Sequence, residues 1–469
     1  MPDVEKIDAP AASKVIWIEE GHYADVKRTA VKPGKLSESV SAFANASGGE
    51  IFLGIAEDKS NLLSRSWEGF PTQEDANAHF QILENLNTTG NLFSSRFIYS
   101  HGQDGYVLHL TIPKSKGIVS ATDGYAYVRN NAQNIRVDTD DKKRRLQLDK
   151  GVVSFEDEST RAPLEAISNS IVTLNFMMGV VPHANDPASW LQSQFVVNSG
   201  KPSVAGVMLF AEEPQAVLPK RSAIKILRYK SKEEEGSRDA LEGDPITIEG
   251  HAYAQIQRAV SETKKLVEGL KKLGVHGLEA VEYPHETLHE VVTNAVLHRD
   301  YSIAADIQIR VYDNRIEVES PGVLPGHVTV ENALDEQSAR NPTIVRLINK
   351  FPNPPNKDVG EGLNTAFAAM KALRLKRPEI EERDHSVVVF IAHAPLASPE
   401  DTVMEYLKTH DEITNSVGRD LAAIRSENTM KEVFLRLNRR LLIERVPGKK
   451  GNLAAWRLYT GASDAADEG

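Results

Sequence analysis

The run Tyr283-Pro284-His285-Glu286-Thr287-Leu288-His289-Glu290-Val291-Val292-Thr293-Asn294-Ala295-Val296-Leu297-His298-Arg299-Asp300-Tyr301 places carboxylate, amide and imidazole groups at helical spacing. Proline suits the first turn of a helix, so a helix is expected from about Pro284. Glu290, Asn294 and His298 then recur at i, i+4 and i+8 on one face. Such a face could place an Asn carbonyl on Mg²⁺ and a Glu beside an attacking water. A second pattern overlaps it. His285-Glu286-Thr287-Leu288-His289 satisfies H-E-x-x-H, in which two histidines one turn apart bind zinc and the Glu activates water. Pro284 puts His285 in the first turn and no third-ligand pattern follows, so surface residues on the non-catalytic face are the favoured reading.

A different chemistry lies near the other end of the chain. Between Arg425 and Arg457 there are nine Lys or Arg against three Glu, a local surplus of +6 within a chain of formal net charge -11. Phosphate contacts need such cations. Lys431, Arg436, Arg439 and Arg440 fall in one helical stretch, and Lys449 and Lys450 fall in the turn Pro447-Gly448-Lys449-Lys450-Gly451-Asn452.

These groups need elements to hold them. In residues 1–150 a helix from Lys35 to Ala46 runs into Ser47-Gly48-Gly49, and Ile51 to Ile55 reads as a buried strand. Strands are expected at Tyr106 to Ile112 and Tyr125 to Arg129, and this mixed α/β domain ends near the charged stretch Asp138 to Lys150. Residues 151–282 read as a connecting α/β region. It has a helical piece around Leu164 to Met178, strand-like runs at Val204 to Phe210 and Ser222 to Tyr229, and a helix from His251 to Leu273. Residues 283–395 alternate helix, strand, hairpin and helix, with Asp313-Asn314 as the hairpin turn. Pro395 to Pro399 reads as a linker to a last domain, 400–460. There, helices are expected at Asp401 to Thr409, Val417 to Ile424 and, capped by Ser426, Glu427 to Leu441. Strands Leu442 to Val446 and Ala454 to Tyr459 flank the lysine-bearing turn.

A chain of 469 residues is too long for one core. Hydrophobic content of 41% with 26% charged residues is that of a folded globular protein. The absence of cysteine excludes disulfide scaffolds, thiolate zinc sites and cysteine nucleophiles, and agrees with a reducing compartment. No run of about 18 apolar residues and no secretory pattern appears, so a cytoplasmic protein with no membrane partner is expected. A homo-oligomer stays open.

Ile18-Glu19-Glu20-Gly21-His22-Tyr23-Ala24-Asp25-Val26-Lys27-Arg28, followed by Ser41-Ala42-Phe43-Ala44-Asn45-Ala46-Ser47-Gly48-Gly49-Glu50-Ile51-Phe52-Leu53-Gly54-Ile55-Ala56-Glu57-Asp58, resembles the Schlafen AlbA-type domain, with Tyr127-Val128-Arg129 in support. In nuclease members of that family two carboxylates near the N-terminus and a third after the glycine-rich strand hold a divalent cation. Glu20, Asp25 and either Glu57 or Asp58 match those places, and carboxylates suit Mg²⁺ or Mn²⁺. Lys27 could contact phosphate. Asp25 departs from the family's usual Glu, and the shorter arm draws the carboxylate inward. The same acids could instead be solvated or pair with Lys27 and Arg28.

The stretch from Tyr283 resembles the N box of ATP-binding domains of the gyrase, Hsp90, histidine kinase and MutL (GHKL) class. The likeness continues through the hairpin Ile307 to Glu319, the Ser320-Pro321-Gly322 turn, Arg340-Asn341-Pro342 and Gly360-Glu361-Gly362. It implies Glu290 as general base and Asn294 as magnesium ligand, with His298 and Gly322 at the nucleotide. Gly360 and Gly362 would let backbone amides approach the phosphates of ATP. A Ser-Pro-Gly turn replaces the segment that usually holds adenine. The last domain resembles a winged helix-turn-helix whose third helix and hairpin tip touch DNA; a protein-binding winged helix is the alternative.

The expected protein is therefore an α/β and α+β multidomain chain. It comprises a Schlafen AlbA-like N-terminal domain, a GHKL-type ATPase-like α/β sandwich and a C-terminal winged helix-turn-helix. The function expected is ATP-linked binding of nucleic acid, DNA or RNA, in transcriptional regulation or phage defence. The alternative is a metal-dependent endoribonuclease acting on structured RNA such as tRNA.

Overall fold

The computed structural model describes residues 2–57, 65–86, 90, 92–183, 186–218, 222–233, 236–269, 271–274, 277–280, 284–333, 338–355, 367–370, 375–392, 399–422, 424, 426–449 and 454–459, excepting the side chains of 271–274, 277–280, 285 and 401.

Alternation along the strand Gly49–Leu53 organises the N-terminal unit. Ile51 and Leu53 pack with Leu36, Val40 and Phe43 of helix Pro33–Asn45, whereas Phe52 packs with Ala12 of helix Ala9–Ile16. This two-sided burial makes Gly49–Leu53 an interior strand. The sheet order is Val4–Ile7, Ser94–Ser100, Val107–Ile112, Gly49–Leu53, Ala24–Lys27. Ala24–Lys27 runs parallel to Gly49–Leu53 with Asp25 opposite Ile51, so Asp25 lies on the face covered by helix Pro33–Asn45. Three residues beyond that helix, Gly48 has φ +80°, and a Cβ there would stand 2.7 Å from the Ile112 carbonyl oxygen. Only glycine fits there. Asn45 ties the helix to the ribbon Ala126–Asn130/Gln133–Val137, donating to the carbonyls of Val119 (2.7 Å) and Tyr127 (2.9 Å).

The second unit is a six-stranded sheet in the order Ile246–Ile248, Ile224–Arg228, Ile307–Val311, Arg315–Pro321, Ser386–Ala392, Glu379–Glu382. Ile224–Arg228 pairs in parallel with Ile307–Val311, and the other neighbours are antiparallel. Helices Ala252–Glu268 and His285–Leu297 pack on it through a core that runs from Ala162 to Ile391. The division expected between residues 282 and 283 therefore cuts through a single sheet and a single core. Sequence spacing could not reveal a parallel pair whose strands lie about eighty positions apart.

Two local expectations are corrected. Val204–Phe210 is a helix, capped by the Ser203 hydroxyl, which accepts from the Gly206 amide, and all seven of its residues are buried. A short run without a polar face carries no period to separate helix from strand. The helix expected to reach Leu273 ends at Glu268, and Lys271–Gly274 pairs with Gly277–Ala280.

The last unit joins helices Pro399–Leu407, Asn415–Leu421 and Glu427–Arg439 to a small sheet in which Ala455–Leu458 lies between Ile413–Thr414 and Ile443–Arg445. Thr414 and Ser426 cap the second and third helices. Val403, Met430, Phe434 and Trp456 fill its core. Among the described residues no helix is long and apolar enough to cross a membrane.

Gly322 has φ +104°, and a Cβ there would meet the Asp300 Cβ at 2.7 Å. Gly322→Ala is expected to destabilise the protein by about 2 kcal/mol. Gly179→Ala, in open space within helix Ile171–Val180, should be neutral or slightly stabilising. Equal melting temperatures for Gly322→Ala and the parent would refute the close approach.

Candidate functional sites

The N-terminal acids sit where strand Ala24–Lys27 passes beneath helix Pro33–Asn45. Glu20 Oε1 accepts from the Val26 amide at 2.9 Å. Asp25 points inward with 3% of its side chain exposed, accepting from Lys27 Nζ at 2.6 Å and Ser39 Oγ at 3.4 Å. Arg129, 1% exposed, stands 3.6 Å from the same carboxylate and is held by the Gly21 and Ala24 carbonyls and by Asn134. Burial first, and then a hydrogen bond shared with the Asp25 carboxyl, raise the pKa of Glu20 above the ordinary carboxylate range.

Glu57 does not join this pair as a free ligand. Across the ribbon Ile55–Glu57/Arg65–Trp67 it is paired with Arg65, which donates to Glu57 Oε1 from Nε (2.9 Å) and Nη2 (2.6 Å). Arg65 also donates to the Ile18 carbonyl at 2.5 Å and lies 3.8 Å from Glu20 Oε2. A guanidinium thus bridges the two carboxylates that a metal was expected to bridge. Glu20, Asp25 and Glu57 are matched by Lys27, Arg65 and Arg129, which leaves no surplus negative charge to offset dehydration of a divalent cation. Among the described residues no group of three His, Asp or Glu could hold a metal. Of the expected set, Glu20 and Asp25 lie side by side, Glu57 is held by Arg65, and Asp58 lies outside the described residues. Arg65 carried no sequence signal, because its role arises from cross-strand pairing. Arg129 sits in the Tyr127-Val128-Arg129 strand quoted above, but its partner is a hundred positions away.

In the second unit Glu290 and Asn294 share a face as expected, and Asn294 Nδ2 donates to Glu290 Oε1 at 2.8 Å. Burial raises the Glu290 pKa, and the Asn294 hydrogen bond opposes that rise. His298 leaves the stripe. Helix His285–Leu297 stops one residue earlier, and His298 is its C-cap, with φ -107° and ψ 0°. Its imidazole lies near Arg340, and burial, aided by that charge, pushes its pKa down to about 4. Gly322 serves the Asp300 approach described above. Asn341 Nδ2 donates to the Leu297 (2.8 Å) and Arg299 (2.9 Å) carbonyls, so Arg340-Asn341-Pro342 anchors the end of the same helix. Gly360, Gly362 and the His285 side chain lie outside the described residues.

On the third helix of the last unit Lys431 and Arg439, and Arg440 at its C-cap, are exposed and have no acidic partner among the described residues. Arg436 is paired with Glu400 at 2.7 Å and Lys449 with Glu412. Lys450 lies outside the described residues.

Comparison with known proteins agrees with part of this reading. Residues 20–138 match the family model described as Schlafen, AlbA_2. Residues 304–391 match the model described as putative ATP-dependent DNA helicase recG C-terminal, a match that begins after the helix bearing Glu290 and Asn294. No curated protein matches the chain. A solved structure, the DIP2311 protein from Corynebacterium diphtheriae, is 18% identical with a TM-score of 0.41, covering 93% of this chain and 92% of its own.

His251, like His298, is held at about 4 by burial, against 6.5 when unfolded. A depressed histidine pKa means that the unfolded chain binds protons the folded one refuses. Stability is therefore complete above pH 6.5 and is lost as the pH falls from 6.5 towards 4. Urea unfolding at pH 7 and pH 4.5 should show a smaller loss for His298→Asn than for the parent. Identical losses would count against a buried neutral His298.

Proposed function

We propose that this chain, which carries an AlbA/Schlafen-type domain ahead of a C-terminal ATPase-like module, is a nucleotide-linked nucleic-acid-binding protein rather than a metal-dependent nuclease. The observation that carries this reading is the pairing pattern of the basic side chains. At the N-terminal site Lys27, Arg65 and Arg129 are consumed by internal carboxylates, whereas Lys431, Arg439 and Arg440 stand exposed on one helix and its C-cap. Exposed cations release counterions when they meet phosphates, which is the main source of affinity for nucleic acid.

In this reading the last unit is a winged helix that lays helix Glu427–Arg439 towards the duplex, with the turn near Lys449 at flanking phosphates. The six-stranded unit acts as a GHKL-type nucleotide module, in which Glu290 orients the attacking water and Asn294 presents its carbonyl to Mg²⁺. When bound, that ion would supply charge neutralisation for the phosphates. The Asn294 amide nitrogen points to Glu290, which leaves its carbonyl oxygen as the available ligand atom. The biological setting proposed is transcriptional regulation or phage defence.

Fluorescence anisotropy with labelled tRNA, single-stranded RNA and duplex DNA, in EDTA and in Mn²⁺, tests the first half. Binding without cleavage is expected in both buffers and should survive Glu20→Gln. Replacing Lys431, Arg439 and Arg440 by Ala should reduce the slope of log K against log salt by about 2 to 3. Mn²⁺-dependent cleavage that Glu20→Gln abolishes would establish the nuclease instead.

For the second half, ATP turnover should vanish in Glu290→Ala while ATP binding persists. An unchanged rate in that variant would sink the assignment of the base.

A further inference from the structure

The N-terminal unit and the six-stranded sheet meet along a seam of buried charge. Lys114, with 5% of its side chain exposed, donates to the Leu324 and Val328 carbonyls at 2.8 and 3.0 Å and lies 3.8 Å from Glu382. Lys150 turns the other way, donating to the Ala44 carbonyl at 2.7 Å and the Ser115 carbonyl at 2.8 Å. Lys150 is the C-cap of helix Asp140–Asp149. Its Arg145, with 39% of its side chain exposed, is paired with Asp149 of the same helix and also reaches Asp300 Oδ2 at 2.6 Å and Ser302 Oγ at 3.2 Å. Arg340 stands 3.6 Å from the same carboxylate and donates to the Leu148 and Val323 carbonyls at 3.2 and 2.6 Å.

Asp300 comes three residues after the end of the helix that bears Glu290 and Asn294. That end is fastened to the strand leading into the seam: Ser320 Oγ donates to the Ala295 carbonyl at 2.8 Å, and the Asp300 amide donates to the Pro321 carbonyl at 2.7 Å. A displacement of the helix therefore reaches Arg145 through one carboxylate and two short hydrogen bonds. Buried ion pairs add little net stability but are strongly penalised when one partner is removed, and interfaces built on them have discrete arrangements. Polar seams between domains also part more readily than apolar ones.

We propose that the Asp300–Arg145 pair is a latch through which occupancy of the Glu290–Asn294 face sets how firmly the N-terminal unit is held against the sheet. The latch rests on the nucleotide reading given above. Coupling of this kind is reciprocal, so a ligand that releases the N-terminal unit alters nucleotide affinity by the same factor.

Hydrogen–deuterium exchange on the full chain, with and without ATP and Mg²⁺, tests it. In the parent, ATP is expected to change exchange in residues 285–297 and, by roughly five-fold or more, in residues 140–149. Arg145→Gln and Asp300→Asn should keep the first response and lose the second. No response at 285–297 in the parent would sink the nucleotide reading and the latch together. A response at 285–297 with none at 140–149, or a response at 140–149 that survives both substitutions, would overturn the latch alone. The parent comparison decides the matter even where a variant unfolds.

Discussion

A carboxylate with 1% of its side chain exposed, Asp300, is held by two guanidinium groups that come from opposite directions in the sequence. Arg145 arrives from the helix that closes the N-terminal unit, and Arg340 from the segment before helix Pro342–Ile348. Opposed positive charge keeps the Asp300 pKa below the ordinary range in spite of burial, and the Ser302 amide and hydroxyl occupy its other oxygen. Much else follows from this one group. Gly322 must lack a Cβ to pass it, and Asn341 ties down the helix end beside it.

The chain separates apolar from charged burial. Three extensive apolar cores hold the N-terminal sheet, the six-stranded sheet and the terminal helices. Where the first two units touch, Lys114, Arg145, Arg340, Asp300 and Glu382 do the joining. Apolar contact is non-directional and tolerates sliding, whereas a buried charge accepts few geometries. The units are thus stable in themselves and specific in how they meet. The N-terminal acids follow the same rule on a smaller scale, each matched by a nearby cation.

Legibility varied with the range of the interaction. Helix Pro33–Asn45, strand Gly49–Leu53, helix His285–Leu297 and the three terminal helices were readable because caps, prolines and periodicity act within a few residues. The Glu290–Asn294 pair was readable for the same reason, being one helical turn apart. Val204–Phe210 was not, since an apolar segment buried on all sides has no face to betray its period. His298 was misplaced by a single residue of helix, which suffices to swing a side chain off a stripe.

By itself the sequence determined which residues could titrate, which stretches were apolar, where a glycine or proline punctuated the chain, and that the acidic body ends in a basic segment. Tertiary structure alone decided which charges meet. Arg65 bridging Glu20 and Glu57, Arg129 beneath Asp25, and Arg145 and Arg340 closing on Asp300 span up to 155 positions. Local rules govern the backbone because its hydrogen bonds and sterics act between near neighbours. Electrostatic pairing acts through space, and only the packed fold sets those distances.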